Sequence, residues 1–142
     1  NVTTNLRTVM IVPLVLFGMP SGQIYVRGEG YMTKESFEKL NDEREEKGLS
    51  LFANPRNTAA GSLRQLDPSV TALRNLKIHV YSLGHVSGNT MPKTHWSILE
   101  HLGKLGLRIS GHNRLSTTLT EVKDFIRYWL DEHNTWIIRL MA

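Results

Sequence analysis

Two stretches of this chain alternate apolar and polar residues, and they constrain what it can fold into. In QIYVRGEGY, residues 23–31, Ile24 and Val26 alternate with Tyr25 and Arg27. That is the mark of a strand with one buried face. LKIHVYSLG, residues 76–84, alternates again and reads as another strand. Around them the spacing is helical. Thr33 is placed to cap a helix to about Lys47, with Phe37 and Leu40 inward and Gly48 as the stop. Asn54 to Asp67 reads as a loop and short helix. Thr94 caps a helix striped by Trp96, Leu99, Leu102 and Leu105. Thr118 and Glu121 have the spacing of a capping box for a last helix, with Val122, Phe125, Ile126 and Trp129 as its inner face. Residues 9–17 are expected to form a buried strand that Pro13 forces to an edge or a bend. Residues 107–115 are a further strand candidate, and residues 85–93 a turn-rich loop. Strands and helices without a βαβ rhythm indicate an α+β fold with mainly antiparallel strands.

The 142 residues suit one domain or a large piece of one, and the 40% hydrophobic content is that of a soluble globular chain. There are no cysteines, so disulfides, thiolate chemistry and cysteine zinc sites are excluded. The six histidines do not fall at zinc-ligand spacings. The most apolar run, residues 9–19, is too short to span a bilayer. It contains Pro13 and lacks a basic leader and a cleavage site. A cytoplasmic protein is the expectation, and a start at Asn1 reads as a piece of a longer one.

Net charge is +4, and it is unevenly spread. Between Ala53 and Lys77 the bases Arg56, Arg64, Arg74 and Lys77 face one acid, Asp67. Between Lys34 and Lys47 six acids outnumber four bases. Positive charge therefore gathers around FANPRNTAAGSLRQLDP, residues 52–68, which suits a polyanionic partner. Arg56 and Arg64 stand eight residues apart, a little over two helical turns, so their side chains point in similar directions. Two guanidiniums on one face make a fork for phosphate oxygens, and Ala59, Ala60, Gly61 and Ser62 leave room for a bulky anion. Two solvated surface arginines are the alternative.

Glu29 lies between Gly28 and Gly30 near a strand end. It can accept hydrogen bonds from ribose hydroxyls or help place a metal ion. The plainer reading is a bulge beside an exposed acid, and pattern alone favours the bulge. His79, His95, His101 and His133 read as satisfied or solvated, and the Trp and Phe positions as core. No lysine has a local context that would activate it as a nucleophile.

The segments NLRT, VRGEGYMTKESFEKLNDEREEKG, LFANPRNTAAGSLRQLDPSVTALRNL and VYSLG resemble, in order and spacing, the adenylation domain of bacterial NAD-dependent DNA ligases. The likeness runs from about Asn1 to about Trp129. It implies a nucleotidyltransferase-like α+β core with flanking helices, incomplete at both ends. The activity implied is sealing of nicks in duplex DNA through a lysyl-AMP intermediate, with NAD and Mg2+ and with the remaining ligase domains or self-association as partners. By that resemblance Arg56 and Arg64 contact phosphates, Glu29 and Arg56 bind the nucleotide, and Arg64, Arg74 and Lys77 lie against DNA.

Departures accompany the likeness. The family nucleophile sits in a Lys-x-Asp-Gly motif, and no Asp-Gly dipeptide occurs in this chain. Tyr25 replaces a usual glutamate and Gly30 an apolar residue. The expected division is a partial adenylation domain over 1–134 and a divergent tail over 135–142. A chain of this kind alone is not expected to adenylate itself. A non-catalytic DNA- or phosphate-binding module, or an inactive remnant, is the alternative.

Overall fold

The computed structural model describes residues 2–18, 22–88 and 91–132. In chain order the elements are α1 (Thr3–Arg7), β1 (Gln23–Tyr31), α2 (Lys34–Glu46), α3 (Pro55–Leu63), α4 (Pro68–Ala72), β2 (Lys77–Ser87), α5 (His95–Lys104) and α6 (Leu119–Glu132). The fold is α+β. The sheet among the described residues is a single antiparallel pair, with Gln23 opposite Ser87 at one end and Tyr31 opposite Lys77 at the other.

Most helix starts follow from their caps. The hydroxyls of Thr33 and Thr94 accept from the backbone N–H of Ser36 and Ser97, each at 3.2 Å. Thr118 does the same for Glu121, whose carboxylate accepts in return from Thr118 N at 3.2 Å, completing the capping box. Gly48 ends α2 with a φ of +62°, a conformation that costs glycine little.

The β-ribbon carries the core on one face. Ile78 and Val80, two residues apart, turn to the same side. Ile78 joins a cluster of Val9, Met32, Ala59 and Leu76, which Phe37, Leu40 and Leu63 complete. Val80 joins Leu102 and Leu105 of the α5 end, with Ile24, Val26 and Ile98 against them. The α5 stripe is thus buried as its spacing predicts, with Trp96 half-buried at its start.

β2 has eleven residues against nine in β1, and the surplus forms two bulges. Gly28 faces Val80 while Arg27 faces Ser82, so Tyr81 is extra; Val26 faces Leu83 while Tyr25 faces His85, so Gly84 is extra. A Cβ on Gly84 would stand 3.2 Å from the Tyr25 carbonyl oxygen, which explains a glycine at that bulge. The strand runs on to Ser87, three residues past the expected end.

Three expectations need correction. Residues 9–17 form turns and bends instead of a strand. Pro13 has no N–H for a ladder, and the apolar side chains serve different masters: Val9, Ile11 and Val12 pack on the first cluster and Leu16 on the second. Met10, Leu14, Val15 and Phe17 are exposed. The strand expected over 107–115 shrinks to one parallel bridge, Ile109 to Val80, supported by Val80 N donating to Arg108 O at 2.8 Å. Finally, α6 buries none of its residues: Val122 and Ile126 are exposed, and Phe125 and Trp129 half-buried. Its aromatic residues stack edge-on with one another, and Trp129 meets His112 at 4.8 Å between ring centroids. The expected tail over 135–142 and His133 lie outside the described residues. No helix among the described residues is long and apolar enough to cross a membrane.

Candidate anion-binding site

The arginine-bearing stretch folds as α3 and a short turn into α4. Asn54 starts α3 from an extended backbone, and its side-chain oxygen accepts from Asn57 N at 2.8 Å. Pro55 follows in the first turn, where its missing N–H is no loss. No acid lies in that first turn to offset the positive end of the helix dipole.

Burial then sorts the helix into two sides. Thr58, Ala59 and Ser62 are buried. Arg56, Asn57, Ala60, Gly61 and Arg64 are exposed. The small residues between the two arginines leave their surface open, and a Cβ on Gly61 would meet nothing within 4 Å. Both arginines therefore lie on the outer side of one short helix, as their spacing predicts, Arg64 as the residue that closes it.

Glu29 of β1 reaches this helix. Its Oε1 is 3.8 Å from Arg56 Nε, and both side chains are more than half exposed. The flanking glycines explain how the two elements approach. A Cβ on Gly28 would stand 2.7 Å from the His79 carbonyl oxygen, and one on Gly30 would stand 3.1 Å from Leu63 Cδ1 of α3. Gly28 thus admits the β2 backbone and Gly30 admits α3. The bulge expected at these glycines is present, with its extra residue on β2.

The other two cations sit elsewhere. Arg74 is half-buried, its guanidinium 5.2 Å from the Phe52 ring centroid, and Arg44 lies 4.3 Å from the same ring. Burial lowers the Arg74 pKa, the Arg44 charge lowers it further, and Glu43 opposes both. Arg74 Nη1 is buried with no hydrogen-bond partner among the described residues. Lys77 opens β2 opposite Tyr31 and is half-buried.

One cluster escapes a reading of the sequence. His79, opposite Glu29 in the ribbon, shares a hydrogen bond with the Tyr31 hydroxyl at 3.2 Å. Burial, then Arg108 and His112, push the His79 pKa down. Burial raises that of Tyr31 against the pull of Arg108. His79 is thus the satisfied histidine that its strand position suggests, but its partner depends on strand register. Among the described residues no three of His, Cys, Asp or Glu converge as a metal-binding group.

The helix thus offers two exposed arginines around an open patch, with a strand glutamate at its first turn. The model of the NAD-dependent DNA ligase adenylation domain matches residues 1–139, and the chain belongs to that family. Its relatives include a DNA ligase of Dehalococcoides mccartyi, 54% identical over 127 residues, which is 89% of this chain and 19% of the relative. A DNA ligase of Syntrophotalea carbinolica is 50% identical over 127 residues, again 89% of the chain and 19% of the relative. One of Bacillus cytotoxicus is 44% identical over 132 residues, 93% of the chain and 19% of the relative. The chain therefore spans about a fifth of the length of these curated relatives. It is a fragment of a DNA ligase adenylation domain.

Proposed function

We propose that this chain supplies the phosphate- and nucleotide-contacting part of an NAD-dependent nick-sealing ligase. The observation that carries the reading is the exposed face of α3. Arg56 and Arg64 flank an open patch of small residues there, and Glu29 stands at the first turn. Eight residues of helix separate the arginines by about 12 Å along the axis, so they suit two phosphates of an extended polyanion. Arg56 and Arg64 are assigned to developing negative charge during phosphoryl transfer, where fixed cations stabilise most. Glu29 and Arg56 are assigned to the nucleotide, and Arg64, Arg74 and Lys77 to the DNA backbone. The Arg56–Glu29 pair does not obstruct this, because exposed ion pairs contribute only about 0–1 kcal/mol and exchange readily for a ligand.

The nucleotidyltransferase-like core, a partial domain over 1–134, a cytoplasmic bacterial setting, and NAD or AMP and nicked DNA as ligands all belong to this reading. So does assembly with further ligase domains or with a second copy. Magnesium is part of the reading for the whole enzyme, but the described residues do not form a cage for it. The chain contains no Lys-x-Asp-Gly motif. It is therefore assigned no lysyl-adenylate step of its own, since proximity of nucleophile and phosphate supplies much of such a rate.

Two measurements test the proposal. Intact mass after incubation with NAD and magnesium is expected to stay unchanged while the protein remains folded. A stable added AMP would show that one of its lysines is a nucleophile. Affinity for a nicked, 5′-phosphorylated duplex is expected to fall steeply with salt, and Arg56→Ala or Arg64→Ala to flatten that slope. Unchanged slopes in both variants would remove the phosphate role.

A further inference from the structure

Arg64 is exposed, yet the backbone on either side of it is bonded from within. The carbonyls of Leu63 and Gln65 both accept from one side-chain amide, Asn5 Nδ2, at 2.9 and 2.8 Å. Asn5 belongs to α1, 58 and 60 residues earlier in the chain, and is 5% exposed. One residue further back, Ser62 O accepts from Thr71 Oγ1 of α4 at 2.8 Å, and Thr71 is 1% exposed. A helix C-terminus ordinarily leaves its last carbonyls without intrahelical partners. Here buried side chains from two other elements take three of the carbonyls around Arg64. Within the turn, Arg64 N donates to Gly61 O at 3.2 Å, and Gln65 Nε2 to the same oxygen at 3.0 Å. Asn5 and Thr71 are too deeply buried to meet a ligand themselves.

We infer that Asn5 and Thr71 are positioning residues for Arg64, a role that rests on the reading of Arg64 as a phosphate contact. A guanidinium on a loose turn must lose backbone freedom on binding, and one on a fixed turn has lost it already. α1 and α4 thereby act on the site without touching the ligand.

The test is fluorescence anisotropy with a nicked, 5′-phosphorylated duplex at several salt concentrations, using the 142-residue chain. The variants are Arg64→Ala, Asn5→Ala, Thr71→Val and the two doubles with Arg64→Ala, each with a thermal melt to give its folded fraction. Asn5→Ala and Thr71→Val are expected to weaken binding per folded molecule. They should also flatten the slope of log affinity against log salt, by up to about 0.9 for one phosphate contact. The doubles should bind no more weakly than Arg64→Ala alone, the non-additivity of residues acting through one another. Additive losses overturn the inference. So does a lowered melting temperature with an unchanged slope, which marks a merely structural role. A silent Arg64→Ala removes the proposed phosphate contact itself and the inference with it, an outcome distinct from additivity. Thr71→Val keeps the shape of the side chain and deletes only the hydroxyl, so it decides the matter if Asn5→Ala does not fold.

Discussion

The Tyr31 hydroxyl and His79 Nε2 lie 3.2 Å apart on the side of the ribbon away from the core, with ring centroids at 4.9 Å. Both groups are biased toward their neutral forms. Burial and the charges of Arg108 and His112 disfavour a proton on His79, and burial keeps the proton on Tyr31.

His79 makes stability depend on pH. Its folded pKa lies below the ordinary value of about 6.5, so below that pH the unfolded chain takes up a proton that the folded chain refuses. Stability from this group is complete above about 6.5 and is lost as pH falls toward the folded value. Melting temperature is expected to drop between about pH 7.5 and pH 5.5, and His79→Phe to reduce the drop. Identical profiles for the two proteins would show that His79 does not drive it.

Two glycines should respond oppositely to alanine. A Cβ on Gly28 would stand 2.7 Å from the His79 carbonyl oxygen, a backbone atom that cannot swing aside. Gly28→Ala is expected to destabilise by about 1–3 kcal/mol through overpacking. Gly61 lies inside α3 with open space where its Cβ would go. Gly61→Ala is expected to stabilise by about 0.5–1 kcal/mol, because glycine is a poor helix former. Denaturant titration of both variants checks the signs. If the open patch receives a phosphate, Gly61→Ala also weakens DNA binding while raising stability.

The cap of α3 separates stability from binding. Asn54→Ala removes the acceptor of the Asn57 N–H and is expected to cost about 1 kcal/mol. Asn54→Asp keeps an acceptor and adds negative charge at the positive end of the helix, so stability should hold or rise. The same charge, two residues before Arg56, should repel an incoming phosphate and weaken duplex binding. Binding retained by Asn54→Asp at low salt would place the anion away from that end.

What is legible in the sequence is what depends on near neighbours. The caps at Thr33, Thr94 and Thr118 act within three residues, and each forms as its spacing predicts. Arg56, Arg64 and Glu29 each stand out by residue type and neighbours, and α3 does present the two arginines together. The contact between Arg56 and Glu29 is tertiary and has no local sign. Asn5 is further out of reach, since its amide meets carbonyls 58 and 60 residues away. Residues 9–17 mislead because an apolar run shows that side chains are hydrophobic but not that they share a destination. α6 misleads in another way: its stripe is correctly spaced for burial, but no described residue of it is buried.

The two bulges of β2 have a consequence for heredity. Each extra residue, Tyr81 and Gly84, shifts the inside–outside alternation of β2 by one step, and the second shift cancels the first. Losing Tyr81 or Gly84 alone would remove one bulge and leave His85, Val86 and Ser87 opposite the same β1 partners, because the missing residue and the missing shift cancel. Losing two would leave a plain ribbon in phase at both ends. Lineages descending from such a ribbon are thus expected to shed or gain these residues singly, with no compensating change in the facing residues of β1, a tolerance that their aligned genes would display.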